Sequence, residues 1–227
     1  MLLPEPPSEH ARRNLVALRS AGADLRFGGR GEAARALAEH RRADGRRAPP
    51  TYVIPMGGTD ALGSVGFVAA GFELAAQVEA GSLPEPDVVV MALGTGGSAV
   101  GLAIGLRAAG LRSRVLAVRA SSPGTSSPQK LLEVRRETLA LLRRHAPSFP
   151  ALDERTLDLR IESHQLGRGY AFPTSSGEAA QGLAARTEGL QLEPTYTAKA
   201  LAAVVAAAPA YRQATVVFWH SADAGGE

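Results

Sequence analysis

The sequence predicts an α/β protein: a parallel β-sheet with helices on both faces. Three observations carry this. Strand-like and helix-like segments alternate along the 227 residues. The strongest strand candidate, "DVVVMAL" at 87–93, is a continuous apolar run and not an alternating one. That is the pattern of a parallel strand buried on both faces. A turn of small and polar residues, "GTGGS" at 94–98, then joins this run directly to a helical stretch, and repeated βα units of this kind build a parallel sheet.

The elements follow in order. "NLVALRSAG" (14–22) has helical spacing and "ADLRF" (23–27) reads as a short strand. "GEAARALAEHRRA" (31–43) is helical and "TYVIP" (51–55) is a strand. A long helix covers 61–81, the apolar strand 87–93, and a small-residue helix 98–110 with Gly110 as its C-cap. "RVLAVRA" (114–120) is a strand, and "PQKLLEVRRETLALLRRH" (128–145) is an amphipathic helix. After a turn-rich stretch come helices at 175–189 and 197–208 and a last strand, "ATVVFWH" (214–220). Prolines break the chain at 4–7, 49–50, 84–86 and 147–150, and none of these breaks has the length of a disordered linker.

The totals narrow the chemistry. At 45% hydrophobic residues the chain suits one generous domain or two small lobes. It has no cysteine, which excludes disulfides, thiolate metal sites and a thiol nucleophile. The histidines, His10, His40, His145, His164 and His220, show no i, i+4 pair, so no metal is expected. No apolar run reads as long enough to span a bilayer, and "MLLPEPPSEHARRN" lacks the form of a signal peptide. A cytoplasmic protein without membrane partners is the expectation. The net charge is only +3, and the basic residues are short arginine pairs mixed with acids. That composition reads as solvated helix faces and not as a nucleic-acid surface. Lysine is scarce: only Lys130 and Lys199 occur.

A strand, a glycine turn and a helix together make an anion site. Glycine permits positive φ and close approach of the backbone. The free N–H groups of the first helical turn, with the helix dipole, then attract negative charge. Gly94, Thr95, Gly96, Gly97 and Ser98 supply the amides, with hydroxyls from Thr95 and Ser98. Residues 94–99 also fit the dinucleotide pattern G-x-G-x-x-A. However, an NAD site wants an acid about 20 residues on, at the end of the next strand. Here that strand ends in Arg119, which leaves an NADP-linked oxidoreductase as a weaker alternative. No G-K-[ST] follows, so this is not a P-loop, and Ser98 does not sit in G-x-S-x-G.

Three stretches in order, "YVIPMGGTDALGSVGF" (52–67), "GTGGSAVGLAIGL" (94–106) and "GYAFPTSSGEAAQGLAARTEGLQLEPTYTAKAL" (169–201), resemble one enzyme family. It is the pyridoxal-phosphate (PLP) enzymes of the 1-aminocyclopropane-1-carboxylate deaminase / D-cysteine desulfhydrase type. The resemblance runs from about Asn14 to the end. It implies a fold similar to the tryptophan synthase β-subunit, fold type II among PLP enzymes. Residues 1–90 would be mainly the rest of a smaller lobe and the crossover, and 91–227 the larger, cofactor-binding lobe. It implies that 94–98 hold the PLP phosphate, that Thr197 lies near the pyridine nitrogen, and that Tyr196 and Tyr170 face the substrate. The "GGTDALG" loop (57–63) would line the substrate side. The implied reaction is α,β-elimination or ring-opening deamination of a small amino acid, giving a 2-oxo acid and ammonia. A homodimer is also implied.

Each of these residues has a plain structural alternative. Tyr196 can be a packing residue at a helix start, Thr195 and Thr197 can be caps, and Gly57 and Gly58 can be turn glycines. The family's Schiff-base lysine lies in a "G-N-K" segment, followed by "S-N-H-A-R", and neither aligns with this sequence. "SEHAR" (8–12) is a decoy, because "NLVALRSAGADLRF" follows it at once, and Ser8 reads as an N-cap. Lys199 matches an additional lysine of the family, and Lys130 starts a solvated helix. The expectation is therefore an N-terminally truncated member, impaired or inactive alone. The alternative is a non-catalytic phosphate- or PLP-binding module, or the C-terminal half of a split enzyme completed by a missing N-terminal fragment.

Overall fold

The apolar run becomes an interior strand. In the computed structural model, β1 (Val88–Leu93) pairs in parallel with β2 (Arg114–Arg119) on one side and β4 (Val216–Phe218) on the other. β3 (Leu159–Glu162) pairs in parallel with β2, giving the order β3-β2-β1-β4. The structure describes residues 9–25, Arg35, Glu39, 52–153 and 157–221. The chain divides into two compact units, 1–56 and 57–227. The boundary expected at residues 90 and 91 falls inside β1, within the second unit.

Side chains of β1 alternate between two apolar layers, which is why the strand needs no polar face. Val89, Met91 and Leu93 pack with Val100, Leu102 and Ile104 of α3 (Gly97–Ala108). Val88 and Val90 pack with Ala200 and Ala203 of α6 (Thr197–Ala207). One helix thus lies on each face of the central strand. α2 (Ala61–Glu79) lies on α3 at backbone contact: a Cβ on Gly105 would sit 2.2 Å from the Val68 carbonyl oxygen. α4 (Pro128–His145) starts at Ser127, whose hydroxyl caps the Lys130 N–H, and buries Leu131, Val134 and Leu139. α5 (Ser175–Glu188) runs from a Thr174 cap to Gly189 at φ 68°.

Several expectations change. Residues 23–25 and 52–55 form no strand, while β3 arises in the stretch read as turns. Short apolar runs such as "YVIP" show no partner in sequence, and "LRIE" becomes a strand because β2 offers it a free edge. α1 (Glu9–Ser20) begins ahead of the expected Asn14. The helix expected over 31–43 and the Ser8 cap lie outside the described residues, apart from Arg35 and Glu39, which are helical. α2 is long and apolar enough by composition to cross a membrane, against the sequence expectation. Its glycines and alanines raise its apolar character, and the glycine contact with α3 gives it a place in the α/β layers.

Candidate functional site

All four strands are parallel, so their carboxyl ends share one edge of the sheet. From β1 the chain goes to β2 and β3 on one side and comes back to β4 on the other. The loop after β1 therefore sits at the switch point of the topology, where open α/β sheets bind ligands. That loop is "GTGGS".

Gly96 occupies the N-cap of α3 in the left-handed region, at φ 106°, and brings no side chain of its own to cap the helix. A Cβ there would fall 2.1 Å from Leu131 Cδ2, so strain and space both demand glycine. Gly97 follows, where a Cβ would lie 3.0 Å from Thr59 Oγ1. The "GGTDALG" loop closes the cup from the side. Thr59 hydroxyl is hydrogen-bonded to Thr95 hydroxyl and accepts the Gly97 N–H at 3.3 Å. Asp60 fixes this loop by accepting the Gly63 N–H at 2.7 Å as the cap of α2. From β2, Ser121 donates to the Gly94 carbonyl at 2.6 Å, which holds the other end of the turn.

Arg119 does not face the cup as a free cation. It is 5% exposed and donates through Nε to Ser163 Oγ at 3.1 Å and through Nη1 to Ser126 Oγ at 3.0 Å. That commitment removes the group on which an NADP phosphate contact would depend.

The second half of the site is the turn before α6. Tyr196 is the N-cap residue, and its ring lies against Gly94, with Cε1 3.3 Å from where a Cβ would stand. Its backbone is set by Glu193, a carboxylate only 2% exposed. Glu193 Oε1 accepts the Thr195 N–H and Oε2 the Tyr196 N–H, each at 2.7 Å. Thr197 hydroxyl accepts the Glu193 N–H at 2.8 Å and gives a longer bond, 3.3 Å, to the Glu193 carbonyl. Tyr170 meets Tyr196 edge to face, with ring centroids 5.9 Å apart and planes at 63°. Burial, then the Tyr170 phenol and the Glu193 charge, push the Tyr196 hydroxyl well above the usual phenol range. It is therefore a neutral donor at physiological pH. Lys199 is fully enclosed, and its Nζ donates to the carbonyls of Leu166 and Gly169, each at 3.0 Å.

A family profile described as pyridoxal-phosphate dependent enzyme matches residues 6–222. The chain belongs to this family. D-cysteine desulfhydrase of Yersinia enterocolitica is 34% identical over 154 residues, which are 68% of this chain and 44% of that protein. D-cysteine desulfhydrase of Klebsiella pneumoniae is 32% identical over 169 residues, 74% of this chain and 47% of that protein. The chain thus spans just under half the length of these relatives. The solved structure of an ACC deaminase homologue matches with a TM-score of 0.73 at 22% identity, over 92% of this chain and 61% of that one. Serine racemase from Dictyostelium discoideum matches with a TM-score of 0.56 at 15% identity, over 97% of this chain and 67% of that one. At such identities the likeness is one of fold, and the fold is the parallel α/β arrangement that the sequence resemblance implied.

For a PLP enzyme the fit of this site is divided. The donor set of the cup suits a phosphate: a helix start whose N-cap residue has no side chain, a glycine backbone on either side of it, and the hydroxyl residues Thr95 and Ser98 in the same turn. The two lysines do not suit the aldehyde. Lys199 is enclosed and tied to two carbonyls, and Lys130 is exposed on the first turn of α4. Of the residues singled out in sequence, the structure brings Gly94, Tyr196 and Tyr170 together at one mouth. It places Thr197 on the turn behind them. Ser121 and the two roles of Glu193 and Lys199 were missed. The sequence signal for Glu193 was its place beside the tyrosine motif, four residues ahead of α6.

Proposed function

We propose that this chain carries the phosphate cup and the tyrosine face of a PLP-dependent lyase or deaminase acting on a small amino acid. The proposed reaction class is α,β-elimination or ring-opening deamination, yielding a 2-oxo acid and ammonia. The observation that carries it is the uncapped glycine turn at the switch point of the sheet, with Tyr196 packed against its first residue. The D-cysteine desulfhydrase relatives support the substrate class. A cytoplasmic location and a homodimer belong to the same reading.

In this reading the N–H groups at the start of α3, with Thr95 and Ser98, hold the phosphate against the helix dipole. Bound PLP supplies the electron sink that carbanion chemistry needs. Tyr196, kept neutral by its surroundings, donates a hydrogen bond at the substrate face, and Tyr170 narrows that face against water. Thr197, whose hydroxyl accepts the Glu193 N–H, is the residue that would face the pyridine nitrogen.

A second reading has its own observation. Neither Lys130 nor Lys199 offers a free amine beside the cup. The chain alone then binds PLP reversibly and turns over little, as a binding module or as one part of a split enzyme. One experiment tests both: titrate PLP into the purified chain, following absorbance and thermal unfolding, and then assay D-cysteine and 1-aminocyclopropane-1-carboxylate. Absence of any PLP-dependent change sinks the cofactor reading, and robust turnover by the lone chain sinks the second reading.

A further inference from the structure

Among the described residues Lys199 is the one large charged side chain that is fully buried, and no step above uses it. A buried ammonium is expensive unless its protons are satisfied. Burial lowers the Lys199 pKa and the buried Glu193 charge works against that, while two of its protons reach the carbonyls of Leu166 and Gly169. The segment it grips is unusual. Gly167 and Gly169 have φ of 62° and 128°, and Ala171 has φ 64°, the only positive φ at a non-glycine among the described residues. Such a conformation persists only when its surroundings impose it. Within the segment the backbone bonds from Leu166 to Ser163 and from Gly169 to Leu166 are long, at 3.3 Å each. The segment's own bonding is therefore weak. Between Gly169 and Ala171 stands Tyr170.

We propose that Lys199 is the positioning residue of the tyrosine pair: its buried ammonium, bonded to the carbonyls of Leu166 and Gly169, holds residues 166–171 so that Tyr170 is set against Tyr196 at the mouth of the glycine cup. One cation thereby joins the helix that begins after Tyr196 to the loop that presents Tyr170. A methionine would fill the same volume without the desolvation cost, but it leaves both carbonyls without a donor. The inference rests on the reading of the two tyrosines as the substrate face, and its test does not depend on PLP.

The test compares the unsubstituted chain with Lys199→Met. Two readouts report the clamp: amide hydrogen exchange of residues 166–171, and ionisation of tyrosine followed by ultraviolet absorbance, with Tyr196→Phe assigning the Tyr196 step. In Lys199→Met, exchange of the segment is expected to rise about tenfold or more, and Tyr196 to ionise at a lower pH than in the unsubstituted chain. Either readout left unchanged overturns the proposal. If Lys199→Met does not unfold cooperatively, Lys199→Gln replaces it. Its amide ends one bond short of the ammonium and carries no charge, so the grip on the Leu166 and Gly169 carbonyls is lengthened. The same two changes are expected, and their absence is equally decisive. If PLP fails to bind the unsubstituted chain, the functional reading falls while the clamp is still judged by its own readouts.

Discussion

Two helix starts meet at the mouth of this site, and they are finished in opposite ways. α3 begins at a left-handed glycine that has no side chain to cap it, and its first N–H, from Gly97, meets only the Thr59 hydroxyl at 3.3 Å. α6 follows a buried carboxylate, with Glu193 taking the N–H groups of Thr195 and Tyr196, the two residues that lead into its first turn. Both starts have the same positive dipole end. One is filled permanently by the chain's own anion and becomes a rigid mount for Tyr196. The other is left open, and an exogenous anion is what its electrostatics call for. The contrast shows that a helix start is not a site by itself. What sets the first one apart is a glycine backbone, held at φ 106° against Leu131, at the switch point of the sheet.

The contrast can be broken most sharply at Gly96. In Gly96→Val a β-branched side chain must adopt φ 106° and displace Leu131. A non-glycine left-handed residue costs about 1–2 kcal/mol, and overpacking adds roughly 1–3. Denaturant unfolding is expected to show that loss, and phosphate or PLP titration to show loss of binding altogether.

Removing the internal anion is the next largest effect. Glu193→Ala strips two backbone N–H groups of their acceptor and leaves Lys199 without its balancing charge. Orphaned buried donors cost roughly 1–3 kcal/mol each. A fall of about 3 kcal/mol in unfolding free energy is expected, with PLP binding less affected than in Gly96→Val. Equal loss of binding in the two variants would show that the starts are not independent.

Smaller effects sharpen the picture. Ser98→Ala removes one hydroxyl from the open start and is expected to weaken PLP binding by about 1 kcal/mol, read by titration, with stability little changed. On the alkaline side, Tyr196 holds its proton in the folded chain above the ordinary phenol value of 10.0. The unfolded chain releases that proton first, so this contribution to stability is whole below pH 10.0 and declines as pH rises above it. Burial lowers the Lys199 value and acts with the opposite sign, so the comparison with Tyr196→Phe isolates the tyrosine slope. Smallest is Asp158. Burial alone would raise its pKa, but hydrogen bonds from Arg114 and Arg160 outweigh this and lower it below 3.8. Its contribution is present above pH 3.8 and lost as pH falls through the folded value. As the pair is half-exposed, Asp158→Asn is expected to cost about 0–1 kcal/mol by denaturant unfolding, a cost that vanishes at low pH.

Some of this was legible from residues in order. β1 announced itself because a strand buried on both faces must be apolar at every position. The "GTGGS" turn did so because positive φ and close approach leave glycine little competition. The amphipathic α4, with its Ser-Pro start, was equally plain. β3 was not, because "LRIE" is short, half polar and depends on an edge supplied by β2. Nor was the work of Glu193, Ser121 and Lys199. Their residue types are ordinary, and only their partners give them meaning.

Local chemistry alone therefore determined the fold class, the place of the phosphate turn and the family to which the chain belongs. These depend on patterns within a few residues: hydrophobic period, glycine conformation, helix starts. The tertiary structure decided which helix start stays open and which is sealed. It also decided that Arg119 and Lys199 turn inward and that Tyr170 stands against Tyr196. Those outcomes depend on burial and, for the Arg119–Ser163, Ser121–Gly94 and Lys199 bonds, on partners 27 to 44 residues away in the chain. The energy of a buried charge or hydroxyl is set by what encloses it and not by its neighbours in sequence.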